Sequence, residues 1–265
     1  MDQESRQALS KVPAVTLGFW VIKILATTLG ETGADLFTQQ YELGYLAGIG
    51  LFAAPLLLLV IAQIRARRFH PLLYWATILA STTAGTALAD FFDRDLGVGY
   101  AGGSAILLAG LMACLAAWRA ATGTVSVASV NSPKAEAFYW LTITFSQTLG
   151  TALGDWSADD GGLGYLGGAA LFGGLLAIVA LCHAWTSASR VALFWAAFIL
   201  TRPLGATVGD LLDKPLNQGG LDLGRDMATL VLIAAIGAAI WLVPQRAGAA
   251  CCAGDGKGRQ GAGKP

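Results

Sequence analysis

Apolar runs separated by short polar breaks recur along the chain at residues 13–36, 44–64, 72–92, 98–118, 136–156, 164–184, 191–212 and 227–243. A helix that crosses a bilayer needs about 17–25 mostly apolar residues, so the pattern predicts eight transmembrane helices. Little chain is left for a soluble domain. The breaks differ in charge. If the N-terminus is cytoplasmic, the segments on that side carry Arg6, Lys11, Arg65, Arg67, Arg68, Arg119, Lys134, Arg190, Arg246, Lys257, Arg259 and Lys264. The opposite segments carry only Arg94, Lys214 and Arg225, and they are acidic, with Glu42, Asp93, Asp95, Asp159, Asp160, Asp213, Asp222 and Asp226. By the positive-inside rule both termini are expected in the cytoplasm.

Within this pattern four segments superimpose without gaps: FWVIKILATTLGETGAD ending at Asp35, YWATILASTTAGTALAD at Asp90, YWLTITFSQTLGTALGD at Asp155 and FWAAFILTRPLGATVGD at Asp210. Each begins with an aromatic residue and a tryptophan (Trp20, Trp75, Trp140, Trp195). A glycine follows ten residues later (Gly30, Gly85, Gly150, Gly205) and the aspartate five after that. The register continues with Gly44, Gly99, Gly164 and Gly219, followed by Tyr45, Tyr100 and Tyr165 in the first three copies. Self-similarity at a fixed period marks a repeat architecture. The chain therefore reads as one membrane domain over 1–265, with pseudo-repeats 13–68, 69–122, 135–189 and 190–245 and cytoplasmic tails 1–12 and 246–265. A ten-residue excess near 121–134 separates two halves. A two-helix unit returns the chain to its starting side, so all four copies share one orientation. They are expected to be related by axes along the membrane normal, unlike inverted-repeat transporters. The fold class is all-α transmembrane, an eight-helix bundle with pseudo-symmetry.

The elements TLGETGAD with GYLAG, TAGTALAD with GYAGG and TLGTALGD with GYLGG resemble those of the bacterial integral membrane proteins built from a two-helix repeat of unknown function. The resemblance spans residues 19–243 and implies the fold and a bacterial cytoplasmic membrane. The fourth copy, RPLGATVGD, departs from the pattern and lacks the tyrosine after Gly219.

On a helix, residues three and four apart share a face. Thr28, Glu31, Thr32 and Asp35 thus form a polar stripe, repeated as Thr83, Thr86 and Asp90, as Thr148, Thr151 and Asp155, and as Thr207 and Asp210. Intramembrane carboxylates cost about 2.5–3.5 kcal/mol on insertion scales, so the stripes are expected to face the bundle axis. Two readings stand side by side. The aspartates are hydrated interfacial caps, or they are a ring of oxygen ligands suited to hard cations, with a metal site tentatively at Glu31, Asp35, Asp90, Asp155 and Asp210. The helices hold these five acids against Lys23 and Arg202, a formal excess of three negative charges that calls for protonation or a cation. Glu31 and Arg202 mark the copies that would be neighbours in a closed ring, so an ion pair between them is expected, as a brace or as a coupling element. Lys23 is expected to snorkel to the inner interface. Gly44, Gly99 and Gly164, each four residues before another glycine, read as small-residue helix packing. Gly30, Gly85, Gly150 and Gly205 read as close-contact or kink points.

Composition narrows the function. Of the 265 residues 55% are apolar and only 13% charged, the net charge is zero, and the mean hydropathy is +0.60. That excludes a disordered chain and a nucleic-acid binder. Cys114, Cys182, Cys251 and Cys252 form no disulfide framework, and no phosphate loop, nucleophile elbow or paired-histidine motif is present, so no cofactor and no catalysis are expected. The expectation is a transporter or channel-like permease for a small cation, divalent metal or proton-coupled. Its acidic stripes would line the path, and the lipid bilayer would be its principal partner. The rival is a non-transporting scaffold or sensor whose symmetric core serves packing alone.

Overall fold

The computed structural model describes residues 9–249, so Cys251, Cys252 and most of both tails lie outside the described residues. Eight helices follow one another: α1 (Leu17–Asp35), α2 (Tyr45–Arg65), α3 (Pro71–Asp90), α4 (Gly99–Thr122), α5 (Pro133–Ala158), α6 (Gly164–Trp185), α7 (Arg190–Asp213) and α8 (Arg225–Leu242). Local chemistry sets several of their starts. The side-chain oxygens of Thr16, Ser132 and Ser189 accept from the amides of Phe19, Ala135 and Ala192, and Pro71 and Pro133 occupy first-turn positions where their missing N–H costs nothing. α1 and α3 run on into π-helical turns at Leu36–Gln40 and Phe91–Asp95.

The odd-numbered helices form a closed inner ring in which α1 packs on α3, α3 on α5, α5 on α7 and α7 on α1. The even-numbered helices form the outer layer, each lying on the inner helix of the next repeat: α2 on α3, α4 on α5, α6 on α7 and α8 on α1. Among the described residues six helices are long and apolar enough to cross a membrane on their own. Their burial separates the layers, with 61% and 56% of the apolar window buried in the helices containing α3 and α7 but 11% in α2, α6 and α8. The exposed Leu57, Leu58, Ile106, Met112, Ile178 and Leu230 cover the outer layer. α1 and α5 are less apolar because they carry Lys23, Glu31 and Asp35, or Thr142, Ser146, Gln147, Thr148, Thr151 and Asp155, at buried positions. The chain is a multi-pass membrane protein.

Glycine closes the ring. A Cβ on Gly30 would overlap Thr82, one on Gly85 would meet Gln147, one on Gly150 Arg202, and one on Gly205 Thr27. Each glycine thus receives the residue three positions before the glycine of the next copy, and the fourth copy hands on to the first. Gly44, Gly99 and Gly164 do something else. They stand at helix starts with φ of 77°, 73° and 62°, and open space surrounds the site of a Cβ. Their role is backbone conformation, not the packing that their spacing suggested. The packing belongs to the glycine four residues on: Gly48 abuts Thr38, Gly103 Asp93 and Gly168 Thr207. In the fourth copy Gly224, with φ of 73°, caps α8 as Gly44 caps α2, so the structural register there lies five residues beyond Gly219.

The end of the bundle that carries the segments 9–13 and 247–249 is closed. Tyr74, Trp75, Tyr139, Trp140, Phe194, Trp195 and Trp118 pack edge to face across the axis. The repeated tryptophans 75, 140 and 195 are therefore core residues and not interfacial anchors; their ring nitrogens find partners such as the Gln245 side chain at 3.0 Å and the Val125 carbonyl at 2.9 Å. Trp185 and Trp241, 79% and 85% exposed, hold the lipid-facing positions at that end. Strand β1 (Leu9–Pro13) lies beneath the aromatic layer, paired antiparallel with β2 (Ala247–Ala249). Val12 joins the aromatic cluster, and Lys11 reaches Glu136 at 2.6 Å.

Gly85→Leu should destabilise the protein by about 1–3 kcal/mol through overpacking against α5. Gly50→Ala, in open space on α2, should be neutral or better. Thermal unfolding in detergent measures both, and equal losses would contradict the ring.

Candidate functional site

The inner helices stack polar residues along the bundle axis in layers one helical turn apart. Next to the aromatic layer lies Lys23. Then come Thr27, Thr82, Gln147 and Arg202, then Glu31, Thr86 and Thr151, and finally Asp35, Asp90, Asp155 and Asp210. The stripe on α1 is therefore 23, 27, 31 and 35. The sequence stripe shares Glu31, Thr86, Thr151 and the four aspartates with it, but Thr28, Thr83 and Thr148 stand apart. Their hydroxyls turn back onto carbonyls of their own helices, such as Ile24 at 3.0 Å and Thr144 at 3.0 Å. Thr32 faces α8 through Thr229.

Arg202 occupies the centre and is fully buried. Its guanidinium meets the Glu31 carboxylate at 2.9 Å and donates to the hydroxyls of Thr86 at 2.5 Å and Thr151 at 2.6 Å and to the Thr27 carbonyl at 3.4 Å. One side chain of the fourth repeat thus binds all three others. Arginine suits this position because its planar fork presents several donors at once and stays charged. Lys23 does not snorkel. It is fully buried, with its ammonium 4.2 Å from the Phe198 ring centroid and 3.5 Å from the Gln147 amide oxygen, because the aromatic layer blocks the way out at that end.

At the opposite end the four aspartates are 1–5% exposed. Two bases from the connecting segments turn inward to meet them. Lys214 lies 2.7 Å from Asp35 and 3.2 Å from Asp210, and Arg94 lies 3.4 Å from both Asp90 and Asp155. Arg225 reaches Asp213 at 3.1 Å and Asp35 at 3.6 Å. Arg94 and Lys214 each stand four residues after the aspartate of their own repeat, in the second and fourth copies, and each clamps that aspartate to the one in the following copy. The first and third copies have Gln39 and Asp159 there. This end is accordingly pseudo-twofold, and base-at-plus-four in alternate copies is the sequence signal for it. The expected excess of three negative charges omitted these bases: with Asp213, Arg94, Lys214 and Arg225 added, six carboxylates stand against five basic side chains, Lys23 included, an excess of one. Burial opposes the Lys214 charge, but Asp210, Asp35 and Asp213 outweigh it and hold the ammonium well above the ordinary lysine pKa.

A cavity of about 800 Å³ opens onto this network, lined by Gln39, Arg94, Tyr100, Tyr165, Asp210 and Lys214 among others. Beneath it Glu31, Asp35 and Asp210 bring carboxylate oxygens within 4.8 Å of one another. One oxygen each of Asp35 and Asp90 is buried without a hydrogen-bond partner. The cluster therefore has acceptor capacity left over.

Arg202→Met should cost about 3–5 kcal/mol by leaving Glu31 buried without its counter-charge, and adding Glu31→Gln should recover most of the loss. Thermal unfolding of the two single variants and the double variant measures the coupling, and strictly additive losses would refute it.

No curated protein and no solved structure matches the chain. One family model matches it four times, at residues 18–69, 73–124, 138–189 and 193–246, each match covering one inner helix and the outer helix that follows it. The chain belongs to the family defined by the Repeat of Unknown Function (DUF347).

Proposed function

We propose that the protein is a membrane transporter for a small cation, with Asp35, Asp90, Asp155 and Asp210 as the charges that receive it and Glu31 as the deepest member of the site. The observation that carries the reading is an open cavity of about 800 Å³ lined by the buried Asp210 and by Lys214 and Arg94, whose partners Asp35, Asp90 and Asp155 lie buried behind them. A polar axis continues inward from there through Glu31, Thr86, Thr151 and Arg202. The aromatic closure and the β1 strand across the far end fit alternating access better than an open channel. The arginine and lysine bias supports a closed end facing the cytoplasm and a cavity facing outward.

The rival reading, a non-transporting scaffold or sensor, draws on one feature: Arg202 and Lys214 already occupy carboxylate oxygens that a cation would use. Uptake into proteoliposomes separates the two. The transporter reading expects saturable uptake of at least one member of a panel of metal ions, protons and organic cations. Asp35→Asn with Asp210→Asn should abolish it while thermal unfolding stays cooperative. Vesicles that take up none of the panel from either side would sink the transporter reading.

A further inference from the structure

Resting on that reading, we propose that the cation taken at the Asp35–Asp210 site is a small alkylammonium, best a short diamine, and that Lys214 is its internal stand-in. Lys214 is itself a primary alkylammonium. It is seated between Asp35 and Asp210 at 2.7 and 3.2 Å and enters from the cavity side. The site as folded therefore displays the ligand chemistry that it accepts, namely N–H donors toward carboxylate oxygens.

A divalent metal fits less well. Hard-cation sites gather oxygens at about 2.0–2.6 Å around one point. Of the three carboxylates close enough to do so, Glu31 is committed to Arg202 at 2.9 Å. Arg202 cannot withdraw without abandoning Thr86 and Thr151, so its positive charge stays beside any ion placed there. An ammonium can replace the Lys214 ammonium one for one and leave Arg202 in place. Displacing Lys214 raises the excess of carboxylates over bases from one to two, and the unpartnered oxygens of Asp35 and Asp90 then give a dication its acceptors. The cavity is large enough for an organic molecule, and the rings of Tyr100 and Tyr165 on its wall suit an alkylammonium passing over their faces.

Lys214 also sets the mechanism of entry. Its ammonium is held in the site by Asp35 and Asp210. It leaves the site by displacement, when an incoming ammonium takes its place between the two carboxylates.

The test uses the full-length protein with butane-1,4-diamine, n-butylammonium, tetramethylammonium, Mn²⁺ and Mg²⁺ as probes, read by thermal shift in detergent and by uptake into proteoliposomes. The diamine should stabilise and be transported by the wild type, n-butylammonium should bind more weakly, and tetramethylammonium, which has no N–H, should not bind. Lys214→Met removes the competitor and should tighten diamine binding by about tenfold or more; Asp35→Asn should abolish it. Binding or uptake of Mn²⁺ or Mg²⁺ with no response to either amine would overturn this inference and leave the cation-transport reading standing. No response to any probe, in the wild type and in Lys214→Met alike, would overturn it as well, and uptake of protons or another cation in the wider panel would then decide whether the transport reading survives.

Discussion

The fold depends on a buried arginine held by three neighbouring repeats. Arg202 carries a charge into the middle of a membrane bundle, where an unpaired ion is not tolerated, and each of the other inner helices supplies it an acceptor. The arrangement works only if the ring is closed, because the acceptors come from helices α1, α3 and α5 at once. Glycine makes that closure available. The four repeated glycines let each inner helix seat the next copy's side chain against backbone, and at Gly150 the seated side chain is Arg202 itself. Packing and electrostatics thus meet in one layer. In a bilayer, association of helices gains little from the hydrophobic effect, so such close contacts and buried polar bonds must supply the specificity.

Around this centre the two ends of the axis are built differently. One is packed with aromatic rings and has a strand laid beneath them. The other is wide, acidic and clamped by bases on pseudo-twofold terms, Arg94 across Asp90 and Asp155 and Lys214 across Asp210 and Asp35. Fourfold repetition in the sequence has been cut to twofold by the residue four positions after each aspartate. The halves then differ again, because an arginine, 34% exposed, serves one pair and a nearly buried lysine the other. The lysine side is where Glu31 adds a fifth carboxylate to the aspartates.

Several features were legible before any coordinates. Gapless repetition set the copy number, the inner and outer alternation and a common orientation. The odd residues of copies one and four, Glu31 and Arg202, pointed to each other because a closed ring makes those copies adjacent. Other features were not legible, for identifiable reasons. The choice between Thr27 and Thr28 as the axial residue turns on about 100° of helix rotation, and hydrophobicity cannot resolve it when every side of an inner helix is covered. Gly44 and Gly48 look alike in a small-residue pattern, yet one is needed for its positive φ and the other for its missing side chain. The tryptophans stood where membrane anchors usually stand, and only the convergence of four copies at one end turned three of them into a core.

The sequence by itself determined that this is an eight-helix membrane protein of four like-oriented repeats with carboxylates at a fixed depth, since span length, period and burial cost are properties of single helices. The tertiary structure decided which charges meet. Arg94, Lys214 and Arg225 each sit in a polar connection near one of the acids they bind, but the second acid comes from a distant repeat, and the linear pattern does not say which repeat that is. Their inward turn is set by the ring, which gathers so many carboxylates at one mouth that neighbouring bases are drawn in.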